Sequence, residues 1–272
     1  MFKSLMFFMN RIDMCNVDIY SKEQNVLNGL NLDAPIYKFI PYKYLKTLIQ
    51  GELYINKVSS WEDVYENFLF KASFMLEDKT SIDAKDLTSG IFGQSWTSED
   101  ETDAMWRIYS DVKSEDIGNC AVRVKTTARK LFDAIYTKDE CMSTTYIGKV
   151  AYKQPNEIDD WIRNLSLITG TLNRSFVDSL FIKRMVFSHE NEVRIIINLG
   201  SEAEECRRDH ITFPINIETF IDEFLIDPRL AFKREACSIK ADLVGGGINS
   251  DKIRISDLYV FKPLSYPLII HD

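Results

Sequence analysis

The sequence predicts a mixed α+β fold, and three observations carry that prediction. Strand-like runs rich in Ile, Val, Phe and Tyr are interspersed with segments of helical period. They lack the repeated strand–helix–strand rhythm of a doubly wound parallel sheet. No internal repeat, low-complexity run or flexible linker interrupts the 272 residues, which hold only seven Pro and eleven Gly. Residues 35–272 are therefore expected to form a single domain, preceded by an N-terminal arm over 1–34.

In chain order, residues 36–40 read as a first strand, stopped by Pro41, which suits a first helical position. Tyr44, Leu45, Leu48 and Ile49 then follow at helical spacing up to Gly51. Residues 53–58 make a second short strand. The stretch 62–76 alternates acids and aromatics and reads as a helix, its first-turn acids favoured by the macrodipole. Residues 91–97 are a partly buried strand. A helix over 102–112 follows, and the spacing of Met105, Trp106, Ile108 and Tyr109 suits core packing better than a cofactor box. Next come a strand over 120–124 and a helix over 126–137, with Leu131, Phe132 and Ile135 inward. After a strand stub at 149–152 and helices near 156–168 and 172–184, residues 192–199 are the clearest strand in the chain. Further strands are expected at 211–215, 223–227 and 254–261, and a helix near 232–244 is ended by Gly245-Gly246-Gly247.

Composition narrows the class without naming a chemistry. With 45% hydrophobic and 27% charged residues, the chain is neither a disordered tail nor a coiled-coil rod. A net charge of −8 disfavours an extended nucleic-acid footprint, although a local basic patch stays open. The five cysteines (15, 120, 141, 206 and 237) form no Cys-x-x-Cys pair, and the three histidines show no zinc spacing. This fits free thiols in a reducing cytoplasm and no metal site. No apolar run reaches the ~18 residues of a membrane span. The apolar start at residues 1–9 is broken by Asn10, Arg11 and Asp13, so it reads as an arm that docks on its own domain or on a partner, not as a signal peptide.

Several familiar sites are missing, among them Gly-x-Gly-x-x-Gly, the Walker loop, His-Glu-x-x-His and Gly-x-Ser-x-Gly. The most informative stretch is Glu190-Asn191-Glu192-Val193-Arg194. Strand alternation puts Val193, Ile195, Ile197 and Leu199 on one face, and Glu190, Glu192 and Arg194 on the other. Arg194 neutralising Glu192 on a solvated surface is one account of that acidic face. A catalytic carboxylate with a second acid beside it is the other. A second stretch, Gln94-Ser95-Trp96-Thr97, either ends a strand with turn-forming hydroxyls or orients a carboxylate and stacks on a flat ring. A third, Tyr37-Lys38-Phe39, sets a lone cation between aromatics, as lysines that snorkel also do.

Taken together, these blocks resemble the bacterial family called domain of unknown function 2971. The resemblance rests on Tyr37-Lys38-Phe39, Trp61-Glu62-Asp63-Val64-Tyr65-Glu66, Ser95, Met105-Trp106-x-x-Tyr109, Lys149-Val150-x-Tyr152 and Lys183 ahead of Glu190-x-Glu192-x-Arg194. It spans about residues 35–260. Where that family commonly has Asn-Asp-Pro-Phe-Glu, this chain loses the proline turn and keeps Asp63 and Glu66. The motif order also resembles that of mono-ADP-ribosyltransferases: a cation on a first strand, a serine motif on a second and a Glu-x-Glu on a later one.

That resemblance implies a split, two-sheet α+β core flanked by helices, with NAD as substrate. Lys38 takes the cation position, though it lacks the bidentate fork of an arginine. Ser95 takes the serine position and Glu192 that of the catalytic glutamate. Glu190 would receive the acceptor's proton, and Trp96 or Tyr37 would stack on the nicotinamide. The acceptor would be a macromolecule, either protein or nucleic acid, with Lys125, Arg129 and Lys130 as a possible basic strip. Such enzymes are often toxins or phage-defence effectors held silent by an antitoxin or inhibitory partner. Two other classes stand beside this one. A non-catalytic sensor or scaffold would leave the residues dispersed on a shallow surface. A Mg-dependent nuclease would gather Asp63, Glu66, Glu190 and Glu192 around one ion.

Overall fold

The computed structural model describes residues 22–61, 63, 65–71, 73–75, 81–83, 90–136, 144–164, 172–199, 204–263 and 265. Residues 1–21, most of the expected arm, lie outside them. A ten-stranded mixed sheet is the frame. One half runs β1 (Val26–Leu27), β8 (Thr144–Lys149), β11 (Glu192–Asn198) and β6 (Ile91–Thr97), with β3 (Glu52–Lys57) and β12 (His210–Pro214) branching from β6. The other half runs β2 (Pro35–Pro41), β7 (Ala121–Thr127), β13 (Glu223–Ile226) and β14 (Ile253–Ile255). The two outermost pairs, β1–β8 and β13–β14, are parallel, and the other pairings in the sheet are antiparallel.

The halves meet at one residue pair, Tyr37 of β2 opposite Thr97 of β6. Strand β6 gives that same edge to β3 at Phe92 and Gly93. Residues 94–96 between them have no strand partner on that side among the described residues. The sheet is thus continuous in hydrogen bonding yet opens a gap at its middle.

One face of the sheet carries the main core. Ile36, Val122, Val124, Ile147, Val193, Ile195, Ile197 and Phe224 pack there. Above them lie α1 (Tyr42–Ile49), α3 (Ala128–Ile135) and α7 (Arg234–Gly245), through Leu45, Leu131, Phe132, Ile239 and Leu243. The other face holds two separate clusters. Val58, Leu69, Phe70, Phe176, Leu180, Phe181 and Ile196 cover the first half. Phe39, Met105, Trp106 and Leu225 cover the second, supplied in part by α2 (Asp103–Tyr109). A cleft is left between these two clusters. Among the described residues no helix is long and apolar enough to cross a membrane.

Three expectations are corrected. The stretch 62–76 is not a helix where it is described. Asp63 accepts from the Tyr65 N–H, Asn67 takes a left-handed φ of 61°, and a 3-10 turn at Phe68–Lys71 leads into β4 (Ser73–Met75). That left-handed residue stops any helix from propagating. The helix expected to reach 184 is α5 (Leu172–Ser179), and Ile182–Arg184 is instead strand β10, paired in parallel with β9 (Ala151–Lys153). The last strand is also shorter than 254–261, because Leu258, Tyr259, Val260 and Phe261 are exposed and extend past β14.

Gly93 shows how tightly the gap is built. A Cβ there would sit 2.8 Å from Ile196 Cδ1 and 2.9 Å from Trp61 Cζ2. The Trp61 ring lies 4.5 Å under the Arg194 guanidinium. Gly93→Ala is therefore expected to cost about 1–3 kcal/mol by overpacking, read as a lower melting temperature. An unchanged melting temperature would show that the neighbours yield freely.

Candidate active site

Strand alternation sorts the residues around the gap. Ser95, Glu192, Tyr37 and Phe39 share the face that bears the cleft, while Lys38 and Trp96 belong to the main-core side. Lys38 sends its ammonium into the gap, where Nζ donates to the Ser95 carbonyl at 2.7 Å. That carbonyl lies in the stretch of β6 that has no strand partner on this edge. Burial draws the Lys38 ammonium down to about 8, an effect that Glu192 partly offsets. The resulting cleft has about 180 Å³ of room and is lined by Lys38, Ser95, Tyr109, Glu190 and Glu192, among others.

Glu192 is the best-supported carboxylate in it. Ser95 Oγ donates to its Oε2 at 3.2 Å, Arg194 Nε to the same oxygen at 2.5 Å, and Lys183 Nζ to Oε1 at 2.6 Å. Its backbone N–H donates to the Tyr152 hydroxyl at 2.8 Å. Burial alone would raise its pKa. Arg194, the hydrogen bond from Glu190 and Lys183 outweigh that, and hold the Glu192 carboxyl far below the usual carboxylate range. It stays charged.

Glu190 behaves oppositely. Burial, then its hydrogen bond with Glu192, pushes its carboxyl up to about 7, with Lys183 pulling the other way. Lys183 Nζ donates to Glu190 Oε2 at 2.6 Å and lies 3.3 Å from Glu66 Oε1. Arg194 also bonds Glu66 through Nη2 and the Leu180 carbonyl through Nη1. Arg194 and Lys183 therefore favour the charged form of Glu192, while burial and Glu192 favour the protonated form of Glu190, the divergence an acid–base pair uses.

Of the expected site residues, Ser95, Glu192, Glu190, Lys38 and Tyr37 come together here, so they are not dispersed. The route differs for Glu190. It lies in a 3-10 turn, Met185–Glu190, followed by left-handed Asn191 at φ 41°, and β11 begins only at Glu192. Strand alternation therefore does not place Glu190, whereas Lys183 does. The acidic face of β11 is also not solvated, since Glu192 and Arg194 are 7% and 1% exposed. Trp96 borders the cleft but is 3% exposed, within the main core, its indole N–H on Gln94 Oε1. Its ring is thus not offered to a ligand. Tyr37 is equally buried and has the Arg123 guanidinium 4.7 Å from its ring centre.

The exposed ring is Tyr109, which the helical spacing of 102–112 assigned to core. Met105 and Trp106 are indeed buried, but Tyr109 is 38% exposed and stacks at 6.0 Å on Phe39, facing the cleft. Burial, with Glu190 and Glu192, raises its hydroxyl to about 12, so it remains neutral. The signal for it is the fifth position of Met-Trp-x-x-Tyr, one turn beyond Met105.

The nuclease geometry does not form. Glu66, Glu190 and Glu192 do converge, but on the Lys183 ammonium, while Asp63 pairs with Arg184 at 2.7 Å. No group of three or more His, Cys, Asp or Glu among the described residues is placed to hold a metal ion. The basic strip is largely neutralised as well, with Arg129 on Asp33 at 2.6 Å and Lys130 on Asp222 at 2.5 Å.

No family model matches the chain, and no curated protein matches it. The likeness to domain of unknown function 2971 thus rests on the quoted residues. Among solved structures, the chain is similar to Thermus sp. 2.9 DarT in complex with NAD+. The identity is 10% and the TM-score 0.38, with 85% of this chain and 99% of that one covered. It is also similar to Thermus sp. 2.9 DarT in complex with ADP-ribosylated ssDNA, at 11% identity and a TM-score of 0.37, covering 86% and 99%.

Proposed function

We propose that this chain is an NAD-consuming mono-ADP-ribosyltransferase whose active site is the cleft at the sheet's central gap. The observation that carries this reading is the Glu192 carboxylate, hydrogen-bonded by Ser95, Arg194 and Lys183 and beside Glu190, in a cleft reached by the Lys38 ammonium. Cleavage of the nicotinamide–ribose bond leaves positive charge on the ribose, and a fixed carboxylate stabilises it. Nicotinamide departs with the bonding electron pair, and the acceptor's nucleophile bonds to C1′. The acceptor's proton passes to Glu190. Ser95 orients Glu192, Tyr109 offers its ring to the nicotinamide, and Lys38 supplies positive charge at the floor.

The test is incubation with NAD labelled in its adenylate half, together with cell lysate. Free nicotinamide and label on a macromolecule are expected, and protease against nuclease treatment then identifies the acceptor class. Neither product at any pH would overturn the reading. Toxin or phage-defence biology, and an inhibitory partner, are extensions that such labelling in cells would examine.

Tyr109→Ala should raise KM for NAD about tenfold or more, since stacking of a flat ring on an aromatic is worth about 1–3 kcal/mol. Tyr109→Phe should retain a nearly normal KM, because the hydroxyl has no assigned role. Equal KM values for all three proteins would remove Tyr109 from the binding site.

A further inference from the structure

We infer that Lys183 is the positioning residue of the cleft: its ammonium, held between Glu66, Glu190 and Glu192, is the cation paired with Glu190 among the described residues and so sets the pH at which Glu190 takes up and releases its proton. The inference deepens the transferase reading, on which it rests for the use made of that proton.

The geometry is specific. Strand β10 is not part of the large sheet, and its parallel pairing with β9 sets Lys183 beside Tyr152. The same two-stranded unit thus delivers the ammonium to the carboxylates and the Tyr152 hydroxyl to the Glu192 N–H. Lys183 is 8% exposed and touches all three acids, at 2.6, 2.6 and 3.3 Å.

Charge counting then assigns the proton. Three carboxylates are ion-paired to two cations, Lys183 and Arg194, so full ionisation would leave one of them without an ion-pair partner of its own, Lys38 acting on Glu192 only at longer range. Glu66 and Glu192 each pair with both cations. Glu190 pairs with Lys183 alone, so Glu190 holds the proton most readily. Its other neighbours do not alter this order. Tyr109 of α2 and Tyr152 of β9 are neutral, Lys38 of β2 lies across the cleft, and His189 precedes it on its own exposed turn. A proton on Glu190 that leaves near neutral pH prepares the base that the transfer step needs.

The experiment is a carbon-detected NMR titration of selectively glutamate-labelled protein, with Glu190 assigned through Glu190→Gln, on wild type, Lys183→Met and Lys183→Arg. The Glu190 midpoint should rise by about 1–3 pH units in Lys183→Met, the usual effect of losing an opposite charge, and return in Lys183→Arg. The acid limb of the pH–rate profile for NAD consumption should move by the same amount, with KM for NAD little changed. An unmoved midpoint in Lys183→Met overturns the inference. If Lys183→Met does not fold, Glu66→Gln serves instead. It releases Lys183 from a competing acid and should lower the Glu190 midpoint, and no movement again overturns the inference. A wild type that consumes no NAD would sink the transferase reading alone, because the NMR midpoints decide the role of Lys183 without turnover.

Discussion

Glu192→Gln should slow nicotinamide release about 10²–10³-fold while NAD binding changes little, the loss expected when a preorganised charge facing a transition state is removed. The variant keeps the side-chain size and loses the charge that Ser95, Arg194 and Lys183 jointly stabilise. Its amide N–H₂ must also face one of two cationic donors, so some stability is lost as well. Rates should therefore be compared below the melting temperature of the variant, with circular dichroism confirming the folded state. A rate within a few-fold of wild type in folded protein would remove Glu192 from the chemistry.

The second large effect concerns stability. Arg194 is 1% exposed and spans Glu192, Glu66 and the Leu180 carbonyl, with Trp61 stacked on its guanidinium. Arg194→Met should cost about 3–5 kcal/mol at neutral pH, because truncating one partner strands buried charge on the others. Three carboxylates would then share Lys183 alone.

The pH dependence has a defined sign. In the wild type, the depressed pKa of Glu192 contributes stability above the ordinary carboxylate range, and this is lost as pH falls through its folded value. Glu190 is raised, so its contribution is full below the ordinary range and fades as pH rises through about 7. In Arg194→Met the depression of Glu192 is largely gone. The destabilisation relative to wild type should therefore shrink in acid, as protonation relieves the stranded carboxylates. Chemical denaturation at a series of pH values measures it, and a deficit that grows in acid would contradict the charge assignment.

Much of the frame is legible in the sequence because its strands are buried and locally patterned. The runs at 36–40, 91–97 and 192–199 each appear as a strand within a residue or so of the expected ends. The order Lys38, Ser95, Glu192 comes from the motif resemblance, and each residue sits on one of those strands. What escapes local pattern is long-range pairing. That Lys183 lies in a strand is decided by β9, some thirty residues earlier, and helical spacing through Phe176 and Leu180 hides it. The single Tyr37–Thr97 pair that opens the gap is likewise a tertiary fact. Strand alternation does not reach Glu190, because left-handed Asn191 breaks it. Tyr109 is hidden because its helix buries Met105 and Trp106 one turn earlier, and only the tertiary placement of that helix turns Tyr109 toward the cleft.

The central claim is that the scissile bond of NAD lies in this gap against Glu192. A crystal structure of Glu192→Gln soaked with NAD tests it most directly. The nicotinamide should lie on the Tyr109 ring, with C1′ of its ribose next to the side chain at position 192 and the Ser95 hydroxyl behind that side chain. NAD bound elsewhere on the chain, or a cleft that stays empty at saturating NAD, would contradict the account.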